Sequence, residues 1–245
     1  KGIKSLTVKG SHLDRLLLAN LTKEDWIDVA NELNEQMTDS IIDNAKMAFP
    51  KELQEKSGKQ IADKLKARKS QLPEAVSKYY KILTKEVEIV GTNEAEYFEI
   101  NRLESGAVNI KIYPLADLKT PFFDRTFTRK ETKEIRLFGL AERDSFYVNG
   151  ESNKSILVRI AGGSGTDVVY DLSKTRSLLH KTLVYDYPNG VVLNDGENNR
   201  GIYSEEMNLN EYNNQAYKYN TYIPLPVIVS NPDDGFGGGL TLTFN

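Results

Sequence analysis

The spacing of apolar residues changes period at about residue 86. Before that point apolar residues recur every three or four positions, which predicts helices over about 23–36, 38–48, 58–72 and 73–83. Thr22 is a good N-cap for the first of them, with Asp25 three residues on, and Ser57 is the predicted cap of the third. Residues 1–8 alternate and predict a short strand or extended arm. The first 86 residues are therefore predicted to form a helical unit.

After residue 86 apolar and polar residues alternate, which is typical of strands with one buried face. Strands are predicted at 87–91, 97–102, 108–113, 124–128 and 181–187. Residues 188–216 are rich in Asn, Asp and Gly, and indicate a linker. The LTLTF sequence near the C-terminus alternates strictly after a group of tyrosines, a pattern typical of a transmembrane barrel strand with its aromatic girdle.

One internal repeat lies within residues 135–171. An offset of 23 residues aligns Gly139 with Gly162, Asp144 with Asp167, and Leu137 with Ile160. A further step of 23 reaches Leu183, although the Gly-Asp turn does not recur there. A fixed period of this length predicts strands stacked in parallel, as in a solenoid.

The predicted fold class is thus α+β, with an N-terminal helical unit, a β-rich unit of short stacked (solenoid-like) strands, and a C-terminal orphan strand. The predicted boundaries are 1–86 for the helical unit, 87–187 for the β-rich unit with its 23-residue repeat, 188–216 for the linker and 217–245 for the start of a barrel strand.

Composition narrows the classes of function. The net charge of -3 gives no general attraction to nucleic acid, although the acidic excess is concentrated after residue 180. Absence of cysteine excludes disulfides, thiolate nucleophiles and cysteine metal sites. No apolar run approaches the roughly 20 residues of a membrane-spanning helix. The first residue, Lys1, suggests a piece of a longer polypeptide.

The glycine-rich turn carries the main chemical candidates. Residues 162–170, GGSGTDVVY, match the nonapeptide G-G-x-G-x-D-x-U-x of calcium-binding β-rolls. Asp144 and Asp167 are therefore the candidate calcium ligands, and no other cofactor is predicted. One complete copy supplies only half a site, so a plain turn in which Asp167 caps its own backbone is the simpler alternative.

Other patterns fail on single residues. A nucleophile elbow centred on Ser164 would need glycine where Thr166 stands, and a dinucleotide fingerprint would need glycine where Val168 stands. The two histidines, His12 and His180, are far apart in the sequence and form no metal-binding pair. The basic helix at 58–72 could meet anionic headgroups, but its Ile61 and Leu65 favour burial of one face and an ordinary solvated face opposite.

Several motifs carry a family resemblance: LTKEDW at 21–26, the long passage at 66–100, ETKEIRLFGL at 131–140 with the GGSGTD turn, and NPDDGFGGGLTLTF at 231–244. From about Leu21 onward the chain resembles a segment of large Gram-negative envelope proteins. That segment lies between a calcineurin-like metallophosphoesterase domain and a C-terminal barrel of the bacterial surface antigen superfamily. The family tends to have a glycine-aspartate turn at the first repeat, where this chain has Ala141-Glu142-Arg143-Asp144.

The resemblance implies a non-catalytic connecting or docking domain on the periplasmic side of the outer membrane. Its partners would be the rest of the same polypeptide and its barrel, with membrane contact only through the C-terminal strand and no nucleic acid. The metal ligands of the phosphoesterase would lie upstream. The alternative interpretation, from a different class, is a calcium- or glycan-binding solenoid module at the turns of residues 139–171.

Overall fold

The computed structural model of the chain describes residues 3, 7, 9–176, 181–194, 196–214, 222–231 and 235–244, the last two ranges without their side chains. It confirms the α+β class: helices come first and strands in mixed sheets follow. The extended arm predicted for residues 1–8 lies almost wholly outside the described residues, as does His180.

The helical unit follows the predicted segments closely. Its helices are α1 (Ser11–Leu17), α2 (Lys23–Gln36), α3 (Asp39–Lys46), α4 (Lys51–Leu53), α5 (Lys59–Ser70) and α6 (Leu72–Leu83). Thr22 caps α2 as predicted, because its hydroxyl accepts from the Asp25 amide while the Asp25 carboxylate accepts from the Thr22 amide. The predicted cap at Ser57 is wrong, since a π-helical turn, Gln54–Gly58, carries the chain from α4 directly into α5.

The two largest sheets share one hydrophobic core. The first sheet contains five parallel strands: β1 (Glu86–Val90), β5 (Glu134–Leu140), β8 (Leu157–Gly163), β11 (Thr182–Asp186) and β13 (Asn199–Tyr203). The second has the order β12 (Val191–Leu193), β9 (Asp167–Asp171), β6 (Ser145–Asn149), β2 (Glu96–Arg102), β3 (Val108–Pro114) and β4 (Phe123–Phe127). Two short strands, β7 (Glu151–Ser152) and β10 (Lys174–Thr175), pair separately.

The register of β5 on β8 confirms the 23-residue offset. Leu137 pairs with Ile160, and Phe146 of β6 pairs with Val169 of β9. The third step is wrong by one residue, because Val184 rather than Leu183 pairs with Ile160. A slip of one residue exchanges the two faces of a strand, and Val184 is accordingly the residue buried in the core.

The sheet topology does not show a regular solenoid. Strands β3 and β4 run antiparallel beside β2, so the second sheet is mixed. They occupy the chain between β2 and β5, which makes that interval longer than the 23-residue step between β5 and β8. The observed arrangement is therefore two packed sheets, one fully parallel and one mixed.

The interpretation of 188–216 as a loop-like linker is wrong for much of that range. Strands β12 and β13 lie within it and extend both sheets, and a short helix, α7 (Met207–Asn210), follows. Parallel pairing requires only free backbone groups on the edges of β9 and β11. Strands of three and five residues meet that requirement although they are too short to show an alternating pattern.

The C-terminal strand is not an orphan. Strand β15 (Gly235–Phe244) pairs antiparallel with β14 (Tyr222–Asn231) along the full ten residues of each, from Tyr222 opposite Phe244 to Asn231 opposite Gly235. Among the helices of the described residues, none combines the length and apolar character needed to cross a bilayer.

Candidate functional site: a buried column of carboxyl groups

Three of the crossings from the first sheet to the second use a glycine followed five residues later by an acid. The pairs are Gly91 with Glu96, Gly139 with Asp144, and Gly162 with Asp167. A methyl group on Gly139 would stand 2.1 Å from Asp144 Oδ2, and one on Gly162 would stand 1.9 Å from Asp167 Oδ2. These glycines are therefore required because the acid of the same crossing occupies the space of a side chain.

The crossing after β5 has positive φ angles at the same two positions as the crossing after β8, which retains more of the repeat's glycines. Leu140 and Glu142 adopt φ values of +82° and +64°, at the positions where the second copy has Gly163 at +94° and Gly165 at +145°. Such values cost roughly 1–2 kcal/mol for a residue with a side chain. Methyl groups on Gly163 and Gly165 would approach the carbonyl oxygens of Leu140 and Glu142 to 2.4 and 1.8 Å, so the second copy must remain glycine.

Hydrogen bonds connect the acids of successive crossings. Asp144 Oδ1 accepts from the Glu96 amide, and Asp167 Oδ1 accepts from the Asp144 amide, both at 2.8 Å. Asp186 follows Asp167 in the series, and its Oδ1 accepts from the Tyr187 amide at 2.6 Å. Neighbouring strands lie about 4.8 Å apart. Glu96, Asp144, Asp167 and Asp186 therefore form a column across the strands, here called the carboxyl column.

The carboxyl column is closed to solvent. Glu96 is 1% exposed, and Asp144, Asp167 and Asp186 are fully buried. The second carboxyl oxygen of each has no hydrogen-bond partner within the described residues. This arrangement disfavours ionisation, because each buried aspartate loses its hydration and gains only one amide donor in return. Glu96 gains only the amide and the hydroxyl of Thr92 as donors.

The electrostatics follow from that burial. Burial raises the pKa of Asp144 and of Asp167 to about 7 and that of Asp186 to about 6, against the lowering effect of the amide hydrogen bonds. The next carboxyl in the column raises the pKa of Asp144 and Asp167 further. Burial also raises the pKa of Glu96. Near neutral pH the column therefore retains protons, and it can exchange them within the physiological range.

The two predicted calcium ligands, Asp144 and Asp167, are neighbours in the column, as the repeat implied. Their carboxyl groups lie in line across the strands, and no cluster of three or more acids or histidines suited to a metal occurs in the part of the chain that the structure describes. The calcium assignment thus gains no donor set from the geometry and stays a prediction. Calorimetric titration with Ca²⁺ tests it, with Asp144→Asn as the variant that should lose any heat.

Asp167 does not cap its own backbone, contrary to the simpler alternative. It accepts from Asp144 on the preceding crossing. Sequence reasoning also missed Glu96 and Asp186. The Gly-x4-acid spacing of Gly91 and Glu96 would have revealed the first, whereas Asp186 stands at the glycine position of its crossing and carried no such signal.

A buried arginine holds the crossings on the opposite side, where the chain returns from the second sheet to the first. Arg102 is 2% exposed and donates to the hydroxyls of Ser155, Ser173 and Thr182 at 2.7–3.1 Å. It also donates to the Ile156 and Lys181 carbonyl oxygens at 2.9 and 2.8 Å. All five of these hydrogen bonds go to groups of the same domain, so the role of Arg102 is to stabilise the fold.

Comparison of the chain with protein-family models, with curated proteins and with solved structures gave no match. The family resemblance and everything that it implies therefore remain predictions, and the function is argued from the chain itself.

Proposed function

We propose that this chain is a non-catalytic connecting domain of a larger outer-membrane protein, on the periplasmic side, between a phosphoesterase-like domain and a β-barrel that begins with the C-terminal hairpin. The observation that supports this proposal is the pairing of β14 and β15 over ten residues each. Transmembrane β-strands have about 9–11 residues and pair antiparallel with their neighbours.

Two further features are consistent with a connecting role. The two-sheet core is cross-linked by the hydrogen bonds of the carboxyl column and of Arg102, which suits a domain that holds its neighbours at a fixed distance. The helical unit precedes it and attaches to it, since Arg125 of β4 donates to the Tyr80 hydroxyl of α6 at 3.0 Å. Forces between an upstream domain and the hairpin would pass through these contacts.

The proposal is tested in the full-length protein by paired substitutions in the middle of β15. In a barrel strand, alternate residues face lipid, where an arginine costs about 2–4 kcal/mol at the midplane. Leu240→Arg should therefore lower the amount of protein assembled in the outer membrane, while its neighbour Thr241→Arg should leave that amount close to wild type.

Equal assembly of both variants would contradict the proposal. So would a reading frame in which no further alternating strands of about ten residues follow Asn245, because a barrel needs at least eight strands.

A further inference from the structure

Residues 46–69 form a basic arm within an acidic protein. The arm contains the end of α3, the connection to α4, the π-helical turn and nearly all of α5. It carries eight basic and three acidic side chains, a net charge of +5, whereas the whole chain has a net charge of -3. Positive charge is thus concentrated in one tenth of the sequence, and the remainder repels anions on balance.

The same arm exposes large apolar side chains. At its tip, Met47 is 64% exposed, Leu53 49% and Phe49 37%. Along α5, Ile61 and Leu65 are also exposed, so the burial expected for them from the helical pattern is wrong. Exposed apolar groups that cluster, rather than scatter, mark a surface for association.

Two of the basic residues form ion pairs with acids of α3 that precede the arm. Lys66 pairs with Asp43 of α3 at 2.7 Å, and Lys69 pairs with Asp39 at 3.2 Å. These two contacts fix the side of α5 that faces α3.

The other basic residues of the arm form none of the ion pairs in the described part of the chain. Lys64 and Arg68 lie three or four positions from Ile61 and Leu65 and share their stripe of α5. Lys51, Lys56 and Lys59 flank the tip. The exposed surface of the arm is therefore apolar and cationic at once.

We propose that the basic arm binds the surface of an anionic phospholipid bilayer, with Met47, Phe49 and Leu53 entering the headgroup region and Lys64 and Arg68 meeting phosphate groups. Positive charge complements anionic lipid, and apolar side chains beside it are what an interfacial segment buries. A nucleic acid would pair with the basic side chains but would leave the apolar side chains of the tip exposed to water. This contact is separate from the C-terminal hairpin, and it does not rest on the proposed function.

Binding is measured by flotation of the whole chain with vesicles of phosphatidylcholine alone or with 30% phosphatidylglycerol, between 50 and 500 mM salt. We expect about tenfold tighter binding to the anionic vesicles, weakening as salt rises. Both the tip variant M47S/F49S/L53S and the charge variant K64E/R68E should lose about tenfold in affinity.

Matched controls come from exposed residues of the β unit. The apolar control is L115S/L118S, at positions that are 43% and 54% exposed, and the charge control is K119E/K130E. Both should bind like wild type, and circular dichroism should show that all four variants remain folded. Because the chain lacks cysteine, an environment-sensitive dye on Phe49→Cys reports insertion directly, with Leu118→Cys as its control.

Three results would overturn the proposal: equal binding to neutral and anionic vesicles, wild-type binding by the tip variant, or an unchanged dye signal at position 49. Tighter binding to RNA or to an acidic peptide than to anionic vesicles would also overturn it. Binding through the hairpin alone would appear as affinity that neither arm variant reduces.

Discussion

The helical unit and the β unit differ in how completely they bury their apolar side chains. In the β unit, large apolar side chains such as Phe98, Phe146, Ile110 and Leu137 are almost completely enclosed between the two sheets. In the helical unit, the buried apolar set is small and includes Ala30, Ile42 and Ala62, whereas Val29 is 65% exposed and Leu33 45%. Both units have the apolar periodicity that their secondary structure requires.

The difference shows that periodicity predicts an element but does not guarantee a partner for its apolar face. A strand inside two packed sheets has neighbours on both sides and across the core, so its alternate residues are enclosed. A helix stripe is buried only where another element covers it. Stability should therefore be concentrated in the β unit, while the exposed stripes of the helical unit remain available for contacts outside the described chain.

The largest expected effect tests where stability lies. Phe146 is 1% exposed and stacks on Phe98 with 4.3 Å between ring centroids. Phe146→Ala should reduce the free energy of unfolding by about 3–5 kcal/mol, because it leaves a cavity in the core. Leu33→Ala, on the exposed stripe of α2, should change it by less than about 0.5 kcal/mol. Urea unfolding measures both, and similar losses would remove the distinction between the units.

Arg102 gives the next largest effect. Arg102→Met keeps the aliphatic stem but leaves buried serine, threonine and carbonyl acceptors without their donor, and should cost about 3 kcal/mol. The control is Arg143→Met, at an exposed position in the same unit. Hydrogen exchange should show faster opening of the crossings at 155–157 and 181–182. An Arg102 variant as stable as wild type would show that these bonds add nothing beyond packing.

The carboxyl column makes a prediction about pH. In the unfolded chain its aspartates titrate near pH 4, and in the folded protein near pH 6–7. The folded state binds more protons between these values, so its stability should fall as pH rises from about 4 to 7. The Asp144→Asn variant has no ionisable group at this position. Between pH 4 and pH 8 its free energy of unfolding should therefore rise by about 2 kcal/mol relative to that of the wild type.

The control for the pH experiment is Asp124→Asn, which lies on an exposed side of β4 and should follow the wild-type profile. Thermal melts at pH 5 and pH 8 suffice for the comparison. The buried-column account fails if Asp144→Asn and wild type keep a constant difference across this range.

The smallest effect tests the helical unit itself. Thr22→Ala removes the hydroxyl that accepts from the Asp25 amide, and should destabilise α2 by about 1 kcal/mol. Hydrogen exchange should speed up in the first turn of α2 and stay unchanged in β5 and β8. Thr22→Ser, which keeps the acceptor, serves as the control. An effect that spreads to the β unit would show that the two units unfold together.

Prediction from sequence succeeded where short-range pattern and repeat coincide. Helices α2 and α6, strands β1 to β4, and the pairing of Leu137 with Ile160 follow from spacing alone. It failed at β12 and β13, because short edge strands are made by backbone pairing to β9 and β11. It also failed for Leu183, since one added residue between β8 and β11 moved Val184 into the core.

The carboxyl column shows the same limit in the candidate site. The repeat singled out Asp144 and Asp167 because glycine and aspartate recur together. It could not show that Glu96 and Asp186 continue the series, since Glu96 belongs to a crossing 48 residues before Asp144 and Asp186 replaces a glycine. Nor could it show that these acids are fully enclosed.

By itself the sequence determined the α+β class, the change from helix to strand near residue 86, and the 23-residue register at Gly139 and Gly162. These depend on the periods of helix and strand, which are local properties. Only the tertiary packing determines which apolar stripes are covered, which acids are buried side by side, and that the C-terminal strand pairs with β14. These depend on distances between residues far apart in the chain, and no local pattern encodes such distances.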